Sequence, residues 1–146
     1  MYFATTPITP PSYAELHCRS SFSFLKGASM PEELVEYAAN LGYAALALTD
    51  ECSMAGVVRA HSEAKKFGLH LLIGSEFILE DGLRLVCLAM NRNGYGNLCE
   101  LITLARQRTE KGTYRISRAD FETCPDAPHL ASLPDCLVLL IPNAIQ

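Results

Sequence analysis

The chain has 146 residues, 49% of them hydrophobic and 19% charged, which is the length and composition of one soluble globular domain. A net charge of −4 and a pI near 5.5 exclude a basic module that binds duplex DNA by neutralising phosphates across its whole surface. The six cysteines are well separated and form no C-x-x-C pair, which argues against a zinc finger or a redox motif.

The N-terminal residues 1–12 are rich in proline and lack periodicity, so we expect a lead-in before a folded part that spans 13–146. This segment has neither the charged region nor the long apolar run of a secretory signal. No stretch of the sequence is long and apolar enough to cross a membrane. We therefore expect a cytoplasmic protein with reduced thiols and no membrane partner.

The first elements predicted are a strand at residues 13–18 and a helix at 30–41. The strand is indicated by alternating apolar and polar residues. The helix is indicated by the S-x-x-E capping pattern of Ser29 and Glu32, and Gly42 is a suitable residue to end it.

The next elements continue the alternation of strands and helices. An apolar run at 43–49 predicts a buried strand that ends at Asp50 and Glu51. A helix at 53–67 and a strand at 69–74, which leads into Glu76, should follow. The order so far is βαβαβ.

The remaining sequence predicts a hairpin, a helix and a last strand. Asp81 and Gly82 form a strong hairpin signal between two apolar runs. A helix at 95–108 follows, with a further helical turn near Ser117. Residues 124–134 resemble a loop, and residues 136–141 a strand.

Strands separated by helices predict an α/β fold with mostly parallel strands and one hairpin. Four or five strands with no helix after Ile141 resemble an interrupted barrel or an open sheet. We therefore expect the folded part to be truncated.

Four polar residues lie at or just past predicted strand ends, where α/β folds build their sites: His17, Asp50, Glu51 and Glu76. An imidazole with carboxylates would suit a divalent metal and an activated water. The simpler interpretation, which spacing alone favours, makes His17 a strand-end histidine and the carboxylates helix caps. A basic stretch at 106–118 could contact a nucleic-acid backbone, although a solvated face is the commoner role.

Four ordered motifs resemble those of PHP (polymerase and histidinol phosphatase) domains in bacterial polymerases related to the DNA polymerase III α subunit. Residues 15–29 resemble the opening motif and residues 42–56 the second motif. Residues 74–77 resemble the G-x-E motif, and residues 93–103 are similar to the segment after the family's hairpin. Within this family, the sequence of residues 50–53 most resembles that of the error-prone branch.

The resemblance implies a fold, a function and partners. The fold would be the first half, or somewhat more, of a distorted PHP-type β/α barrel. The parent would be an error-prone DNA-directed DNA polymerase that acts in DNA replication and repair across damaged templates, with magnesium as its metal. Its partners would be the remainder of the polymerase chain, DNA through the parent, and possible sliding-clamp and accessory mutagenesis proteins. The present segment would be structural and inactive alone.

The sequence departs from the family's metal motif, which would take zinc or manganese. His17 keeps the first histidine of H-x-H, but Arg19 replaces the second, and a guanidinium offers no lone pair. Asp50 and Glu76 match acidic positions, whereas Glu51 stands where active relatives often have histidine. We therefore expect no cofactor in this chain and a salt bridge from Arg19 to Glu51 or Glu76.

Two alternatives remain open from the sequence. A metal-dependent PHP phosphoesterase or nuclease would agree with the polar strand ends but not with Arg19. A binding module for a partner subunit or nucleic acid would agree with the basic stretch without requiring it.

Overall fold

The computed structural model describes residues 12–142, so the predicted lead-in lies outside the described residues except for its last position. Within the described range the strands are β1 (Ala14–Cys18), β2 (Ala45–Leu48), β3 (His70–Ile78), β4 (Arg84–Ala89) and β5 (Cys136–Ile141). The helices are α1 (Pro31–Asn40), α2 (Val57–Phe67), α3 (Arg92–Gln107) and α4 (Arg118–Glu122), and Pro128–Leu130 form a 3₁₀ turn. None of these helices has the length and apolar character needed to span a membrane.

The strands form one mixed sheet in the order β1-β2-β3-β4-β5. Strands β1, β2 and β3 are parallel, because α1 and α2 carry the chain back between them. Strand β4 is antiparallel to β3 across the predicted hairpin, and β5 is antiparallel to β4. The α/β fold class is confirmed, with a sheet that forms half of a barrel.

The start of α1 differs from the prediction by one residue. Met30, not Ser29, precedes the first helical residue, and its N–H donates to Oε2 of Glu33 at 2.8 Å. Glu32 instead accepts a hydrogen bond from Arg59 of α2 at 3.0 Å. The end of α2 agrees with its sequence signal, since Gly68 adopts the left-handed conformation there with φ 65°.

The three long helices cover the same face of the sheet. Leu46 and Leu48 of β2 pack in one cluster with buried residues of α1 and α2. Phe77 of β3 packs in a second cluster with Leu98 and Leu101 of α3. Because side chains alternate along a strand, the opposite, inner face carries the other residues of each strand, Glu76 of β3 among them.

Strand β3 is longer than predicted, and this changes the position of Glu76. The sequence placed Glu76 just past a strand end, but the strand runs through it to Ile78. The extension forms because the two halves of β3 have different partners. Its first half pairs with β2 from His70 to Ile73, and its second half pairs with β4 from Gly74 to Ile78. Glu76 is therefore part of the sheet itself.

Strand β5 should make the chain self-associate. It is entirely apolar beyond Cys136, its outer edge pairs with no other strand of the described range, and Val138 and Leu140 are 43% and 59% exposed. Such an edge can pair with a second chain. We expect concentration-dependent association in sedimentation velocity, and we expect the double substitution Val138→Lys and Leu140→Lys to abolish it.

Val58→Lys is the matched control for this prediction, because Val58 is 72% exposed and belongs to helix α2 rather than to a strand. It should leave association unchanged. A chain that stays monomeric up to high concentration, or a control that acts as strongly as the β5 variant, would contradict the role assigned to the edge.

Candidate functional site

The candidate site is centred on Glu76, whose side chain is fully buried on the inner face of β3. Arg19, one residue after β1, binds both carboxylate oxygens. Its Nε lies 2.5 Å from Oε2, and its Nη2 lies 2.6 Å from Oε1. This two-point geometry is the arrangement in which a guanidinium binds a carboxylate most strongly. The predicted salt bridge of Arg19 is thus confirmed, with Glu76 as its partner.

Two further side chains complete the arrangement. Arg84 of β4 donates to Oε1 of Glu76 from Nε at 3.0 Å and from Nη2 at 2.7 Å. Nε2 of His17 lies 2.9 Å from Oε2 of Glu76. We call His17, Arg19, Glu76 and Arg84 the guanidinium cluster.

Sequence reasoning missed Arg84, although a signal for it was present. The Asp81-Gly82 turn sets the hairpin register, in which Arg84 pairs with Ile78 and Val86 pairs with Glu76. Since residues 76 and 78 share a face, so do their partners, and Arg84 follows from the hairpin register.

The charge state of Glu76 is set by two opposing effects. Burial alone would raise the pKa of this carboxyl. The hydrogen bonds from Arg19, His17 and Arg84 together outweigh burial and hold the pKa of Glu76 below its usual value. Glu76 is therefore an anion at neutral pH, and the two guanidiniums exceed its charge by one unit.

Asp50 has a different role from Glu76, because it binds the loop after β1. Its side chain is buried, and each oxygen accepts hydrogen bonds from the loop after β1. Oδ1 accepts from the backbone N–H of Ser20 and the hydroxyl of Ser23, each at 2.7 Å. Oδ2 accepts from the hydroxyl of Ser20 at 2.7 Å. The donors to the carboxylate of Asp50 thus come from the loop and not from His17 or Arg19.

Glu51 is likewise bound elsewhere and does not pair with Arg19. Its Oε1 accepts from the hydroxyl of Tyr114 at 2.9 Å, and its Oε2 accepts from Nζ of Lys26. Burial, and then the contact with Glu51, raises the pKa of Tyr114 well above its usual value. The backbone around Glu51 extends the pairing with β3, since the N–H of Cys52 donates to the carbonyl of Glu76 at 2.8 Å.

The residues present do not fit a zinc or manganese ion. A metal needs several lone pairs that converge on one point. Glu76 directs its oxygens at two guanidiniums, and Asp50 and Glu51 direct theirs at separate donors. Among residues 12–142 no group of three or more His, Cys, Asp and Glu side chains could hold a metal. The remnant metal set of His17, Asp50, Glu51 and Glu76 stays a prediction, and among these four side chains only those of His17 and Glu76 are within hydrogen-bond distance of each other.

The basic stretch contains arginines that bind within the fold. Arg106 donates to the carbonyl of Cys52 at 2.9 Å and lies over the ring of Tyr114. Arg108 donates to Asp120 at 2.7 Å. These contacts within the fold account for part of the positive charge of the stretch, so that part needs no nucleic-acid partner to explain it.

A family model described as "PHP domain" matches residues 15–132. Error-prone DNA polymerases are similar to the chain throughout most of its length. The polymerase of Dechloromonas aromatica is 63% identical over 133 residues, which are 91% of this chain and 13% of the polymerase. That of Bordetella parapertussis is 61% identical over 138 residues, which are 90% of this chain and 13% of the polymerase.

Two solved structures have a similar fold. One is a protein from Bifidobacterium adolescentis provisionally assigned as a metal-dependent phosphoesterase, with a TM-score of 0.56 and 26% identity over 67% of this chain and 34% of the other. The second is an amidohydrolase from Chromobacterium violaceum with bound SO4 and no metal, with a TM-score of 0.56 and 28% identity over 66% of this chain and 34% of the other.

These matches agree with the four sequence motifs and with the half-barrel sheet. The chain spans about 13% of the length of the polymerases that it matches. It belongs to the PHP domain family and corresponds to the PHP segment of bacterial error-prone DNA polymerases.

Proposed function

We propose that this chain is a structural, non-catalytic part of a DNA-directed DNA polymerase that copies damaged templates during DNA replication and repair. The observation that carries the structural role is the guanidinium cluster. At the position of the family's metal motif, Glu76 accepts four hydrogen bonds from two arginines. The polymerase assignment is supported by the relatives, each named an error-prone DNA polymerase.

The cluster suits a structural role because it joins three strands. Arg19 follows β1, Glu76 belongs to β3 and Arg84 belongs to β4. Arg19 is distant from Glu76 in the chain, whereas Arg84 lies opposite it in the β3–β4 hairpin, and both ion pairs form only when the strands have the observed register. A buried ion pair of this kind contributes less to net stability than to a specific geometry, and its loss is costly.

A metal-dependent phosphoesterase or nuclease is the second candidate function, favoured by the description of the protein from Bifidobacterium adolescentis. It is opposed by Arg19 and Arg84, which cannot act as metal ligands near neutral pH. The remainder of the polymerase chain is the partner implied by the short coverage. The proposal also includes contacts of the parent polymerase with DNA, a sliding clamp and accessory mutagenesis proteins. It includes magnesium as the metal of the polymerase site.

The test compares the chain with the longer polymerase that contains it. We expect the polymerase to extend a primer across a damaged template and the 146-residue chain to incorporate no nucleotide. We also expect the chain not to hydrolyse a model phosphodiester with manganese, zinc or magnesium, because its carboxylates are occupied by internal donors.

The control is the same hydrolysis assay on the Glu76→Gln variant. If the chain shows metal-stimulated hydrolysis and Glu76→Gln abolishes that hydrolysis, the result would favour the phosphoesterase and overturn the structural role. Primer extension by the chain alone would overturn the assignment of polymerase activity to the rest of the longer protein.

A further inference from the structure

The guanidinium cluster contains more positive than negative charge. Arg19 and Arg84 stay protonated at any physiological pH, and Glu76 supplies one negative charge. Among the described residues, neither arginine forms a salt bridge with a second carboxylate. The two guanidiniums therefore exceed the charge of Glu76 by one unit.

Both guanidiniums also have donors left over. Each uses Nε and Nη2 to bind Glu76. An arginine has five N–H groups, and within residues 12–142 Nη1 of neither arginine has a protein acceptor. The side chains of Arg19 and Arg84 are 23% and 33% exposed, so each is partly in contact with solvent.

We propose that the guanidinium cluster is an anion site that takes a phosphate group. Both guanidiniums bind the same oxygen of Glu76, Oε1, and guanidinium N–H groups are suited to phosphate oxygens, whereas the positive charge repels a metal cation. Where the family's motif has a residue that binds a metal cation, this chain has Arg19, with Arg84 beside it. The position should therefore bind an anion instead of a cation. This inference concerns the chain itself and does not rest on the polymerase assignment.

Phosphate could reach the site as inorganic phosphate or as part of a nucleic-acid backbone, and both present the same oxygens. The first experiment titrates the 146-residue chain with inorganic phosphate at low ionic strength by calorimetry. A parallel experiment titrates it with a fluorescent oligothymidine by anisotropy. Saturation with phosphate alone identifies a free phosphate site, and saturation with the oligothymidine alone identifies a backbone site. Saturation with both leaves the phosphate group as the shared ligand.

Arg84→Gln removes one guanidinium while Arg19 still neutralises Glu76, so we expect the variant to fold. Phosphate affinity should fall about tenfold or more, the loss expected for one charge-assisted hydrogen bond. Arg59→Gln is the matched control, because Arg59 is an exposed arginine that binds Glu32 outside the cluster, and the net charge change is the same. It should bind phosphate as tightly as the unmodified chain.

Arg84→Lys is a second variant that keeps the charge but not the forked donors, and it should bind with intermediate affinity. Two outcomes would overturn the proposal. One is the absence of saturable binding of either probe by the unmodified chain. The other is an equal loss of affinity in Arg84→Gln and Arg59→Gln, which would show that only overall charge matters.

Discussion

Replacing Glu76 with glutamine should lower the free energy of unfolding by about 3 kcal/mol at neutral pH, near the lower end of the range for breaking a buried ion pair. The amide is neutral, so Arg19 and Arg84 would face each other across a group that does not balance their charge. We choose the lower end because both arginines keep some contact with water. Urea denaturation of the two proteins at low concentration measures the difference.

Glu80→Gln is the matched control for this change. Glu80 is exposed and lies 3.8 Å from Arg115, so its removal should cost less than about 1 kcal/mol, as for other surface pairs. An effect of Glu76→Gln no larger than that of the control would show that the cluster contributes little to stability.

The effect of Glu76→Gln should also depend on pH. An unfolded glutamate has a pKa of about 4.3. The pKa of Glu76 in the folded state is lower. Its stabilising contribution is therefore complete above the unfolded value and is lost as the pH falls through the folded value. The difference in stability between the two proteins should shrink below about pH 4. A difference that stays constant down to lower pH would contradict the depressed pKa.

Much of the fold could be predicted because its signals are local. Gly68 and the Asp81-Gly82 turn act over a few residues, and each lies where the sequence predicted it. The length of β3 could not be predicted in the same way. It depends on β4 pairing with residues 74–78, which is a contact between elements rather than a property of the run itself.

The sequence predicted only part of the candidate site, because part of it depends on contacts between elements. The pairing of Arg19 with a carboxylate follows from charge and strand order, and its partner is Glu76, which lies within β3 rather than at a strand end. The separate roles of Asp50 and Glu51 could not be read from their adjacency. Both bind the loop after β1, since Asp50 accepts from Ser20 and Glu51 accepts from Lys26. Two neighbouring acidic residues that resemble metal ligands are loop anchors in the structure.

The loop that Asp50 anchors has features that need support. Phe24 and Leu25 are 83% and 89% exposed, and Leu25 has φ 60°, which is unfavourable for a residue with a branched side chain. A Cβ atom on Gly27 would lie 1.9 Å from the carbonyl oxygen of Ser20, so the backbone crosses itself closely there. Nothing in the packing of these exposed side chains offsets such costs, which leaves the hydrogen bonds of Asp50 as a main stabilising contact.

Replacing Asp50 with alanine should therefore destabilise the chain by about 3 kcal/mol or more, because charge-assisted bonds contribute about 1.5–3 kcal/mol each and are not additive. The donors on Ser20 and Ser23 would be buried without an acceptor. Ser23→Ala is the comparison variant. It keeps the carboxylate and removes the hydroxyl that donates to Asp50 and accepts from the N–H of Glu51, and it should cost less than Asp50→Ala. Urea denaturation gives both values, and amide hydrogen exchange should show faster exchange confined to residues 20–29 in the Asp50 variant. Equal effects of the two substitutions, or exchange that rises equally throughout the sheet, would mean that Asp50 does not hold this loop in particular.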